Sequence, residues 1–297
     1  MKKILILGSI NIDLTIETPY IPAAGETVTG RNFLVNPGGK GANQAVAARR
    51  LGGTVCFSGC VGDDAFGRES MENFQRCGLD ISGVRTVENC PTGCAVIAVC
   101  GGDNRIILDR GANAAVTCAD ADALIGRAAA GDIFLTQLEI DLSVVGYALR
   151  RAKESGLYTV LNPAPADGRI VRYFPYVDLI TPNESELALL TGESDCARGA
   201  AKLAVPEVVV TRGKKGYYYV GKSGSFYGGC PAVKAIDTTA AGDTFCGALA
   251  AELSRGEKIR TALTFAAACA SLACTRRGAQ QSVPRREEAL ALLQRSD

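Results

Sequence analysis

Two glycine-bearing segments carry the residue types from which chemistry could be built. The first is Asn36-Pro37-Gly38-Gly39-Lys40-Gly41-Ala42-Asn43-Gln44, ahead of an Ala-rich stretch. Glycines before a helix let the backbone approach a ligand, and the helix start offers free N–H groups. Lys40 and Asn43 could add side-chain hydrogen bonds. The segment lacks the spacing of a P-loop, and an ordinary strand–helix turn explains it equally well. The second is Asp237-Thr238-Thr239-Ala240-Ala241-Gly242-Asp243-Thr244-Phe245. Its small residues expose successive N–H groups at the positive end of a helix dipole. Such a nest can hold the charge that develops on a transferring phosphoryl group. Asp243 falls within the first turn, within reach of a substrate hydroxyl. An acidic residue that merely stabilises the helix start is the other reading.

The elements that must position these segments read as an α/β layered fold. Short runs rich in Val, Ile and Leu occupy residues 4–7, 55–58, 133–137, 158–161, 179–181 and 208–211. They show little alternation, which suits strands buried on both faces of a parallel sheet. Helical stretches fall between them at 41–51, 119–130, 142–155 and 185–191, and strand–helix alternation argues for helices on both faces. Residues 243–254 and 258–275 have apolar residues on more than one side and are expected to be buried helices. Two regions break the rhythm. Residues 12–37 carry short β-prone pieces, and 93–100 and 105–109 read as strands joined by Gly101-Gly102-Asp103-Asn104, a hairpin signal. The expected organisation is a main domain of residues 1–11, 38–90 and 111–297, with 12–37 and 91–110 forming a small β-sheet over the site as a lid.

Composition removes whole reaction classes. The chain has 297 residues and no His, so a Ser-His-Asp triad, an H-E-x-x-H metal site and phosphohistidine are excluded. Any general base must be Asp, Glu, Lys, Tyr or Cys. The 12 Cys include no C-x-x-C, and most lie in apolar stretches as small core residues. Free thiols fit a reducing compartment. The formal net charge is +1, so nothing suggests a nucleic-acid surface. No apolar run approaches the ~20 residues that cross a bilayer, and the run at 4–7 is too short for a signal-peptide core. The expectation is a cytoplasmic protein without nucleic-acid or membrane partners.

The two segments together resemble the two signatures of the ribokinase-like (PfkB) carbohydrate kinases. The likeness runs from Gly8-Ser9-Ile10-Asn11-Ile12-Asp13 to Gly278-Ala279-Gln280-Gln281-Ser282-Val283-Pro284. It implies a mainly parallel sheet flanked by helices with a β-lid, and a homodimer clasped through the lids. It implies ATP-dependent phosphorylation of a sugar, D-ribose at its 5-hydroxyl by the closest pattern, with magnesium and an activating potassium ion. By the same resemblance, Asp243 is the base, and the N–H groups of Ala241, Gly242 and Asp243 form the anion hole. Asn11 and Asp13, from the end of the first strand, would bind the sugar with Gly39, Lys40, Asn43 and Glu139. Thr211, Gly213, Gly216, Asn183 and Glu186 would face the nucleotide. Asn183 with Glu186 is also a capping box, and both roles can coexist. Asp237, Thr239, Ala273, Arg276, Gly278 and Ser282 match the potassium positions, mostly through carbonyls. One departure is Ala267, where the family often places His or Asn beside the adenine. The sugar set favours a pentose and leaves ribose and 2-deoxyribose open, with nucleosides and other sugars as rivals. A non-catalytic sugar-binding protein is the alternative of another class. A dinucleotide-binding oxidoreductase is disfavoured because Gly8 lacks the G-x-G-x-x-G spacing.

Overall fold

The computed structural model describes residues 1–101 and 103–294. In chain order the elements are β1 (Lys3–Leu7), β2 (Asn11–Glu17), β3 (Arg31–Gly38), α1 (Lys40–Arg50), β4 (Thr54–Gly62), α2 (Ala65–Arg76), β5 (Asp80–Val87), β6 (Gly93–Cys100) and β7 (Asp103–Asp109). Then come α3 (Cys118–Ile125), β8 (Ile133–Thr136), α4 (Leu142–Glu154), β9 (Tyr158–Leu161), β10 (Leu179–Ile180), α5 (Glu184–Thr191), α6 (Cys196–Lys202) and β11 (Glu207–Thr211). The chain continues with β12 (Tyr217–Gly221), β13 (Gly224–Gly228), α7 (Ala241–Ser254), α8 (Ile259–Ala273) and α9 (Arg286–Gln294).

The main sheet has nine strands in the order β13-β12-β11-β10-β9-β8-β1-β4-β5. It is parallel from β5 to β11, and β12 and β13 add an antiparallel edge. In β1, Ile4 and Ile6 face one apolar cluster, with α1, α7 and α8, and Leu5 and Leu7 face the other, with α3 and α4. Both faces are covered, which is why the strand shows no polar alternation.

A separate four-stranded sheet, β3-β2-β6-β7, stands as a lid. Of the hairpin turn read from sequence, Gly102 lies outside the described residues, and β7 begins at Asp103 rather than 105. Two expectations need correction. The helix expected over 119–130 stops at Ile125, because Gly126 and Arg127 turn back onto the carbonyls of Asp122 and Leu124. Asn11 and Asp13 do not lie at the end of the first strand. β1 ends at Leu7, and both residues belong to β2, paired with Gly38 and Asn36 of β3.

Candidate active site

The site forms beyond the carboxyl ends of the parallel strands, where an open α/β sheet leaves a crevice. The segments after β1, β8, β9 and β10 contribute Ser9, Glu139, Asn162 and Asn183, and the last residue of β11 is Thr211. The first turns of α1 and α7 enter it from one side.

Asp243 is 6% exposed, and both carboxylate oxygens are held. Asn43 Nδ2 donates to Oδ2 at 3.0 Å, and Gln44 Nε2 donates to Oδ1 at 2.9 Å. Ala240, just before α7, takes the left-handed conformation with φ of 56°. The anion hole differs from expectation at one group: the Ala241 N–H already donates to the Thr238 carbonyl at 3.2 Å. The N–H groups of Gly242 and Asp243 have no acceptor among the described residues, so two donors of the helix start stay available for an anion.

Glu139 gathers several of the residues expected to bind the sugar. Its Oε2 accepts from Ser9 Oγ at 2.6 Å, from the Lys40 N–H at 3.0 Å and, at 3.5 Å, from Asn11 Nδ2. Asn11 Oδ1 accepts from Asn113 Nδ2 at 2.8 Å, and Asn113 also pairs with both backbone groups of Ile10. Gly39 is the residue before α1, and its carbonyl accepts from the Asn43 N–H at 2.8 Å.

Asp13 looks into a cavity of about 450 Å³ under the lid, with Asn36, Thr238, Thr239 and Gly278. Burial pushes its carboxyl up to about 7, the charges of Glu139 and Asp243 add to this, and Lys40 opposes it. For Lys40, burial works against the charge, but the carboxylates of Asp243, Glu139 and Glu186 outweigh it and raise the ammonium above its ordinary range.

Two further cavities meet this one at the entry to α7. One of about 240 Å³ is lined by Lys40, Asn183, Glu186, Thr211, Gly242 and Asp243. The other, of about 500 Å³, is lined by Thr211, Gly213, Gly216, Val233, Phe245 and Ala267. Thr238 lines all three, and Asp243 lines the small one. Asn183 and Glu186 thus sit on the Asp243 side, apart from Gly213 and Ala267. They form the capping box of α5, with bonds of 2.8 Å each way. Burial raises the Glu186 carboxyl, with the Asn183 N–H and Lys40 pulling against it.

The six potassium positions fall in two converging segments. Asp237 Oδ1 accepts from the Thr239 N–H and Oδ2 from the Gly278 N–H, each at 2.9 Å. The Ala273 carbonyl accepts from the Arg276 N–H at 3.1 Å, and Ser282 Oγ donates to the Ala279 carbonyl at 2.7 Å. The Arg276 guanidinium turns away to Glu288. Among the described residues no group of three or more His, Cys, Asp or Glu side chains could hold a metal ion. What the segments offer is one carboxylate among carbonyl and hydroxyl oxygens, a hard donor set that fits an alkali cation and not a transition metal.

Sequence reading missed Gln44, Asn162, Gln137 and Asn113. All are polar and 8% exposed or less. Gln137 and Asn162 directly follow β8 and β9, and a polar residue ending a buried apolar run was the available signal.

A family model described as pfkB family carbohydrate kinase matches residues 1–286. The chain is similar to a ribokinase of Haemophilus influenzae, 41% identical, covering 99% of each chain. It is similar to the crystal structure of a ribokinase from Thermotoga maritima, with a TM-score of 0.89 and 37% identity over 99% of this chain and 100% of that one. It is also similar to an Arabidopsis thaliana ribokinase complexed with ribose and ATP, with a TM-score of 0.87 and 32% identity over 98% of each.

Proposed function

From the premise that this chain belongs to the pfkB family of carbohydrate kinases, we infer that it transfers the γ-phosphoryl group of ATP to the 5-hydroxyl of D-ribose. One observation carries the reading. Asp243 lines the small polar cavity, which shares Thr238 with the lid cavity and Thr211, Thr238 and Gly242 with the larger apolar cavity, and it stands beside the open N–H groups of α7. The relatives named ribokinase support ribose as the sugar.

Asn11, Asp13, Lys40, Asn43 and Glu139, with Gly39, bind the sugar hydroxyls and place its primary hydroxyl against Asp243. Asp243 takes the proton as the sugar oxygen attacks the γ-phosphorus and the bond to the ADP oxygen breaks. The N–H groups of Gly242 and Asp243 face the equatorial oxygens. Thr211, Gly213, Gly216 and Ala267 line the space for the nucleotide. The small Ala267 leaves an apolar wall there and no side-chain hydrogen bond for the base.

Magnesium, near Asn183 and Glu186, would supply charge neutralisation for the phosphates. Their oxygens fit an ion that keeps most of its own waters. Potassium would be held by Asp237 and by oxygens of Thr239, Ala273, Arg276, Gly278 and Ser282, and it would steady the loop into α7.

The lid division at residues 12–37 and 91–110 belongs to this reading, since Asp13 lies on β2 of that sheet and lines the cavity beneath it. Val35, Leu14, Val96 and Ile107 share one register row across its four strands. Ile107 is 75% exposed. We propose that a second copy of the chain covers this row as a homodimer. The reading includes a cytoplasmic location. All 12 cysteines are free, and no described helix is long and apolar enough to cross a membrane.

The test is ADP release with ATP, magnesium and potassium across D-ribose, 2-deoxy-D-ribose, fructose, 2-keto-3-deoxygluconate and nucleosides. A preference for D-ribose is expected. Preference for another substrate discards the sugar. Sugar binding without any ADP release discards the kinase reading.

A further inference from the structure

Gln44 lies on α1 one residue beyond Asn43, fully buried, and every hydrogen-bonding atom of its amide is committed. Nε2 donates to Asp243 Oδ1 at 2.9 Å and to Asn162 Oδ1 at 3.1 Å. Oε1 accepts from Gln137 Nε2 at 2.6 Å.

The orientation of the whole chain of amides follows from one carbonyl. The Thr181 carbonyl, just after β10, can only accept, so Asn162 must turn Nδ2 towards it, at 3.0 Å. Asn162 Oδ1 then faces Gln44, which must present its NH2 group, and that group supplies a second hydrogen to Asp243. Flipping Gln44 would set its oxygen against two acceptors at once. Gln137 must in turn present its NH2 group to Gln44, and its own Oε1 is left buried without a partner among the described residues. Three side-chain amides, Asn162, Gln44 and Gln137, are thus ordered in series; the middle one donates to Asp243, and the last carries an unsatisfied acceptor.

Backbone packing holds the two ends in register. α1 and α7 touch at Gly247, where a Cβ would lie 2.6 Å from the Gln44 carbonyl oxygen and 2.6 Å from Ala47 Cβ. Gln137 and Asn162 follow adjacent strands, β8 and β9, and Glu139 is two residues beyond Gln137. The series therefore ties Asp243, on a helix, to the strand ends that carry the sugar contacts.

We infer that Gln44 is the positioning residue of the base: through Gln137 and Asn162 it fixes the carboxylate plane of Asp243 relative to the sheet. This rests on Asp243 being the base. Gln44 is fully buried and lines none of the three cavities, so its loss acts on the reacting step and leaves sugar affinity largely alone.

The test is steady-state kinetics of Gln44→Met, Gln137→Met, Asp243→Asn and the double variant Gln44→Met/Asp243→Asn, with D-ribose and ATP, beside melting curves. Gln44→Met keeps the side-chain length and removes the donors. Its kcat is expected to fall about 10- to 100-fold with KM for ribose within about threefold of wild type, since misplacement of about 1 Å can cost that much. Gln137→Met should lower kcat in the same sense by a smaller factor. In the Asp243→Asn background, Gln44→Met should cause no further loss. An unchanged kcat in Gln44→Met, or a loss that simply multiplies with that of Asp243→Asn, overturns the inference. Should Gln44→Met fail to fold, Gln137→Met decides it, a wild-type kcat being the contrary result. An Asp243→Asn variant as active as wild type sinks the base assignment itself, and a dead one beside a fully active Gln44→Met sinks only the positioning role.

Discussion

Asn43 Nδ2 donates to Asp243 Oδ2 at 3.0 Å, a bond between residues 200 apart in sequence. It joins the turn into α1 to the turn into α7, the two segments with which the chain could do chemistry. Asn43 Oδ1 is buried without a partner among the described residues. In the proposed reading one amide holds the base and keeps an acceptor beside it for a sugar hydroxyl.

Asp13 gives stability a pH dependence. Its folded carboxyl is raised from the ordinary 3.8 to about 7. Between those values the folded chain keeps a proton there that the unfolded chain has released. Stability contributed at Asp13 therefore falls as pH rises through that window and levels off above it. Urea denaturation of wild type and Asp13→Asn at about pH 5 and about pH 8 checks this. The variant should gain stability relative to wild type at the higher pH. A difference that stays constant contradicts it.

Gly216 bounds the apolar cavity with φ of 84°, and a Cβ there would lie 2.1 Å from the Gly228 carbonyl oxygen. Gly216→Ala should cost about 1–3 kcal/mol and displace the loop after β11. The expected kinetic signature is a KM for ATP that rises more than the KM for ribose. Equal changes in both, or none, would contradict the cavity's assignment to the nucleotide.

Ile107 stands in the outer row of the lid sheet. Ile107→Glu places a charge in the row that the proposed clasp covers and should convert dimers to monomers in sedimentation velocity. A monomeric wild type, or a variant that stays dimeric, removes the lid from the interface.

Much of the fold could be read from the chain because burial on both faces leaves a local mark. The runs at 4–7 and 208–211 are apolar but for Thr211, since helices cover both sides of the sheet. Local propensity misled at 126–130, where Arg127, Ala128, Ala129 and Ala130 suit a helix but Gly126 and Gly131 bound a turn. β12 and β13 escaped notice because Gly221, Gly224 and Gly228 interrupt their apolar run. For the site, Asp243 and Asn43 were marked by their glycine-rich settings. Gln44 stood in the same motif without a role, since its partners Asn162 and Gln137 are 118 and 93 residues away. No spacing rule reports contacts of that range.

The most direct test of the account is kcat for D-ribose phosphorylation by Asp243→Asn. The amide keeps the size of the side chain but cannot take the proton. A fall of about 10²–10⁴ in kcat, with ribose still bound, is the predicted result. Turnover at the wild-type rate would contradict it and place the base elsewhere.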